Sequence, residues 1–179
     1  DLSKLHGYKN IRFCKTDFLD TEFSEIGRLD HSVVLITGNS DYAITDQITD
    51  KAPFNIKKWY AENCVSNADL IEPIPLGLEN KRASLRDGHG VGYPERASEK
   101  ERLLTRNTSN IKPSKGVYAN YRVHTNPSYR MPFSKLCLRS GFIEVEQPDL
   151  SLEDFFDKML EYKMVVCPVG NGIDTHRLW

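Results

Sequence analysis

Lys163-Met-Val-Val-Cys-Pro-Val-Gly-Asn-Gly-Ile-Asp-Thr-His-Arg177 carries the strongest local signal in the chain. Residues 163–167 read as a buried strand, and Pro168 opens a loop in which Gly170 and Gly172 allow positive φ and close backbone approach. Asp174 and Thr175 read as the cap and start of a helix. A strand, a glycine loop and a helix start together suit an anion such as a diphosphate. The free N–H groups and the positive helix end attract it, and ligands of open α/β sheets lie at the carboxyl ends of strands. Gly170, Asn171, Gly172, Asp174, Thr175 and Arg177 are therefore candidate phosphate-binding residues, with Arg177 placed to pair with phosphate oxygens. A tight turn is the structural alternative, since the pattern matches neither the dinucleotide fingerprint nor the P-loop.

Working outward from this stretch, Ser151 to Tyr162 reads as a helix. Ser151 and Asp154 form a capping-box pair, Leu150 is set to staple onto Phe155, and Leu152, Phe155, Phe156, Met159 and Leu160 make one apolar stripe. Phe142 to Glu146 reads as a strand and Ser128 to Ser140 as a helix whose start Pro132 is expected to delay. Val117 to Val123 alternates in character like a strand with two unlike faces. The order β-α-β-α-β-loop-α predicts a doubly wound, parallel α/β sheet. At the end of its first strand stand Asn120, Arg122, His124 and Thr125, of which Arg122 is a candidate phosphate contact or, alternatively, a surface ion-pair partner.

Nearer the N-terminus, Ser32 to Thr37 reads as a buried parallel strand stopping at Gly38-Asn39-Ser40-Asp41. Asp41 at its end is a candidate base for an acceptor hydroxyl or, more simply, a turn cap. The spacing of Ile56, Trp59, Tyr60 and Asn63 after Pro53 predicts a helix over 54–64, with Trp59 and Tyr60 in the core. Residues 70–76, carrying Pro73 and Pro75, fit only a short or edge strand. The organisation that emerges is an α/β unit over 1–80, a basic connecting segment over 81–115 with a solvated helix near 95–106, and a second α/β unit over 116–179.

A hydrophobic fraction of 39% and a charged fraction of 27% are those of a chain able to bury a core. The formal net charge of -1 removes the global attraction that general nucleic-acid binders need. No apolar run is long enough to span a bilayer, and the polar first residues do not read as a signal peptide. The four cysteines stand singly, so no zinc or redox motif is encoded, and free thiols in a reducing, cytoplasmic setting are expected. The five histidines show no metal spacing.

The stretch from Cys167 to Trp179 resembles the donor-binding motif of exostosin-like glycosyltransferases, in which a Pro-x-Gly-x-Gly-x-Asp-x-x-Arg core is followed by a Trp or Phe and a Glu. Val34 to Asp41, Pro73 to Asn80 and Tyr118 to Pro127 resemble further stretches of the same family, in the same order. The resemblance implies a GT-B-type enzyme with two Rossmann-like domains. The N-terminal one would serve the hydroxyl acceptor and the C-terminal one the nucleotide-sugar donor, which is a substrate, with no cofactor and no metal ion. Val169 stands where many relatives carry Arg, and the expected Glu would follow Trp179. On this reading both ends are truncations, the second domain is incomplete, and the fragment alone is expected to show no transferase activity.

Overall fold

The computed structural model describes residues 10–77 and 94–175. They divide into two units, one running to Leu76 and also taking in Gly172–Asp174, the other spanning Gly77 to Asn171 and including Thr175. In the first, β2 (Val33–Gly38) is central, and Val33, Val34 and Leu35 are all buried, as an unbroken apolar run in a parallel sheet requires. It pairs in parallel with β1 (Ile11–Lys15) and β3 (Ile56–Ala61), and β4 (Ile71–Pro73) lies parallel beyond β3. The strand order is β1-β2-β3-β4, with β4 at an edge where Pro73 is tolerated.

Leu19, Phe23 and Ile26 recur at helical spacing along α1 (Leu19–Ile26) and are buried against Cys14, Val33, Leu35, Trp59 and Ile71. Phe23 meets Trp59 edge-on at 5.5 Å. The last carbonyls of α1 do not go unpaired: Asn55 Nδ2 donates to Ile26 O at 2.6 Å and Leu29 O at 3.2 Å. A short α2 (Asp46–Thr49) separates β2 from β3.

The helix expected over 54–64 is instead the strand β3. Its pairing with β2 slips between Val33 and Val34, so that Val33 faces Ile56 and Val34 faces Lys58, leaving Lys57 as an extra residue. The bulge brings Ile56 and Trp59, three residues apart, into the same core. A strand has thereby acquired a helical spacing. Trp59 itself is fully buried, as the sequence suggests, whereas Tyr60 is half-buried.

The second unit contains α3 (Pro94–Thr105), β5 (Lys115–Ala119), α4 (Pro127–Ser140), β6 (Ile143–Val145), α5 (Leu152–Leu160) and β7 (Tyr162–Val165). Its three strands are parallel in the order β6-β5-β7, a Rossmann-like arrangement. The Ser151 Oγ accepts from Asp154 N at 3.1 Å and caps α5. Helix α3 is only partly solvated, since Leu103 is 2% exposed and Arg102 and Arg106 pair with Glu153 and Asp157 of α5.

Two further boundaries differ from the sequence reading. Strand β5 stops at Ala119 because Asn120 turns inward, donating from Nδ2 to Tyr118 Oη at 2.9 Å and Gln147 O at 3.1 Å, and a 3-10 turn follows at Val123–Thr125. Helix α4 starts at Pro127 and contains Pro132. Pro132 is on the exposed side, where water can hydrate the carbonyl that its missing N–H leaves behind. Gly141, at φ 71°, ends the helix in the left-handed conformation that favours glycine. No helix among the described residues is long and apolar enough to cross a membrane.

Burial pushes the phenols of Tyr118, Tyr121 and Tyr162 up, the last to about 12. Each unfolded phenol titrates near pH 10, so above that pH the folded state holds more protons than the unfolded one, and stability falls as pH rises. Denaturant melts should therefore give a level stability up to about pH 10 and a decline above it, with a shallower decline in Tyr118→Phe.

Candidate crevice at the carboxyl ends of β5 and β7

The chain goes from β5 to β6 on one side and then back past β5 to β7 on the other. Such a reversal leaves a crevice beyond the carboxyl ends of the two strands that flank it, because their outgoing loops part in opposite directions. Here those strands are β5 and β7, and their loops are residues 120–126 and 166–171. The first unit, with its strands in simple succession, has no such reversal among its described elements.

Both loops are held from α4. Arg130, 7% exposed, donates from Nε to Val169 O at 2.7 Å, from Nη2 to Pro168 O at 3.0 Å and from Nη1 to Arg122 O at 2.8 Å. Asn126 Nδ2 donates to Gly170 O at 2.7 Å. Burial lowers the Arg130 pKa, but a guanidinium stays charged throughout the physiological range. Its charge also lies 5.7 Å from the centre of the Tyr121 ring. A separate open cleft of about 500 Å³ lies on the β6 side of the β5 loop, lined by Tyr121, Arg122, His124, Met131, Gln147 and Asp149 among others and by no residue of 166–171.

The predicted phosphate residues fall on different parts of the fold. Gly170 is buried with its carbonyl on Asn126, Asn171 is exposed, and Arg122 is exposed at the cleft. Gly172 and Asp174 belong to the first unit. There Asp174 N donates to Asn63 Oδ1 at 2.9 Å, and Asp174 Oδ2 accepts from Leu76 N at 2.8 Å. Thr175 is half-buried, and the helix that Asp174 or Thr175 is expected to cap would run through residues outside the described ones. Residues 171–174 bend, and Asp174 commits its amide and carboxylate to Asn63 and Leu76. Arg177 lies outside the described residues.

Asp41 is exposed in the first unit, past the end of β2. Close to it in sequence, Asn39 adopts φ 54° and donates its N–H to Glu62 Oε2 at 2.7 Å. The Glu62 carboxylate lies on Gly38, where a Cβ would come within 2.5 Å of Glu62 Cδ and would displace the end of that side chain. Glu62, Arg130 and Asn126 were not singled out by sequence reasoning. Among the described residues no group of three or more His, Cys, Asp or Glu side chains could hold a metal ion, and all four cysteines are free thiols.

No protein-family model matches the chain, and no curated protein does. Chemistry at the crevice is therefore argued from its own residues.

Gly172 lies close against Asn63. A Cβ there would come within 2.9 to 3.2 Å of the Asn63 side chain, which is 6% exposed and pinned by Ser40 O at 2.8 Å. Gly172→Ala should cost roughly 1–3 kcal/mol by overpacking. Gly116→Ala, where the new methyl would meet only Phe142 O at 3.8 Å, should stay within about 0.5 kcal/mol. Urea melts of the two variants beside the parent chain check the contrast.

Proposed function

We propose that the crevice beyond β5 and β7 binds the diphosphate of a nucleotide-sugar, and that the protein is a GT-B-type, exostosin-like glycosyltransferase moving the sugar to a hydroxyl acceptor. The observation that carries this reading is the reversal of strand order at β5, with the glycine loop of residues 168–172 following β7. Arg122, exposed on the loop that follows β5, is the charged side chain proposed to meet phosphate oxygens. Peptide N–H groups of the loop supply further donors without a charge of their own. Catalysis on this reading is mainly positioning of the donor and stabilisation of the departing diphosphate. Asp41, exposed after β2, is proposed as the base for the acceptor hydroxyl.

Calorimetry with a panel of uridine and guanosine diphosphate sugars, followed by an assay for donor hydrolysis and sugar transfer, tests the reading. Saturable binding that weakens about tenfold in Arg122→Ala is the expected result, with turnover expected of a chain extended by the rest of a donor domain. Binding without turnover in that extended chain would favour a non-catalytic nucleotide- or phosphate-binding module. Absence of binding across the panel would contradict both.

A further inference from the structure

We propose that Arg130 is the positioning residue of the crevice: its buried guanidinium fixes the backbone of residues 168–170 so that the N–H groups of Val169, Gly170 and Asn171 turn away from the side chains that hold the carbonyls and form a binding row for a diphosphate. The identity of the anion rests on the function proposed above; the placement of the loop rests on Arg130 and Asn126 alone.

Three consecutive carbonyls, those of Pro168, Val169 and Gly170, turn toward side chains of the α4 region: Arg130 Nη2, Arg130 Nε and Asn126 Nδ2. Among the described residues there is no cis peptide bond, and in a trans peptide the N–H points opposite to the C=O of the same plane. The amides of residues 169, 170 and 171 are therefore turned to the side away from Arg130. Successive amides aimed the same way make an anion-binding concavity.

The identity of the holding residue matters. Arg130 also donates to Arg122 O, so one planar fork grips the loops of β5 and β7 at once. An ammonium carries the same charge but lacks the rigid fork that reaches carbonyls of two segments. All three bonds go to neutral oxygens, and among the described residues no carboxylate pairs with Arg130. The positive charge behind the peptide planes is thus left to act through them on whatever lies on the other side. A purely structural tie would need no charge, and burying an uncompensated one is costly.

The test uses the full chain, labelled with nitrogen-15 and titrated with inorganic pyrophosphate and, separately, orthophosphate. The parent should show saturable amide shifts at Val169, Gly170 and Asn171 and should prefer pyrophosphate. Arg130→Lys should retain the parent's circular dichroism and lose about tenfold in pyrophosphate affinity together with the preference over orthophosphate. Loss of preference distinguishes positioning from a role in stability alone. Should Arg130→Lys fail to fold, Asn126→Ala, which frees only the Gly170 carbonyl, should give a smaller loss, about threefold, confined to the same amides. Parent-like binding by a folded Arg130→Lys, or shifts that map away from residues 169–171, would overturn the proposal, as would a parent chain indifferent to pyrophosphate. Pyrophosphate binding at this loop with no affinity for any nucleotide-sugar would uphold the role of Arg130 and defeat the proposed function. Nucleotide-sugar binding mapped elsewhere would overturn both the role of Arg130 and the crevice as the donor site.

Discussion

Trp59→Ala is expected to cost the first unit about 3–5 kcal/mol, enough to consume much of the stability of a typical domain. Trp59 is fully buried, packs edge-on against Phe23 and donates from Nε1 to Thr37 Oγ1 at 2.8 Å. Removing the indole leaves a large cavity and also strands the hydroxyl of Thr37, which is itself 0% exposed. Trp59→Phe keeps most of the ring and forfeits the hydrogen bond, so it should fall well short of that loss. Urea denaturation followed by far-ultraviolet circular dichroism separates the two variants.

In the second unit the corresponding loss should follow Tyr118→Ala, again about 3–5 kcal/mol. The Tyr118 ring is fully buried, stacks on Tyr162 at 4.7 Å and lies 6.4 Å from Phe155. Its hydroxyl donates to the Glu146 carboxylate and accepts from Asn120, so truncation removes both the ring and the centre of a polar network. Tyr118→Phe preserves the stacking. Asn120 keeps its bond to Gln147 O, and the cost should drop to about 1–3 kcal/mol. The same denaturation measurement, made on both variants, checks the ratio.

These two aromatic residues also show where the sequence was legible. The second unit could be read because its signals are local: the Ser151 cap, the apolar stripe of α5 and the alternation of short strands with helices all act within a few residues. Strand β3 could not be read correctly, because one extra residue at Lys57 gives Ile56 and Trp59 a spacing that a helix would also produce. Only the pairing with β2 resolves the ambiguity. The pair β1 and α1 did leave a signal, in the spacing of Leu19, Phe23 and Ile26, that passed unread.

The candidate site divides in the same way. The glycine loop after the last strand was visible because glycines and a strand end are features of adjacent residues. The roles of Gly172 and Asp174 were not, because they are set by Asn63 and Leu76, 111 and 98 residues away from Asp174. Arg130 illustrates the limit most clearly: in sequence it is one basic residue in an ordinary helix, and its role comes from carbonyls 38 and 39 residues downstream. Long-range hydrogen bonds to the main chain leave no trace in composition or periodicity.

The central claim is that a diphosphate ligand occupies the crevice between the loops of β5 and β7. Amide chemical-shift mapping of the full chain with uridine diphosphate and guanosine diphosphate tests it most directly. Saturable shifts concentrated in residues 120–126 and 166–171 are expected for at least one of the two nucleotides. Shifts confined to the first unit, or none that saturate with either nucleotide, would contradict it.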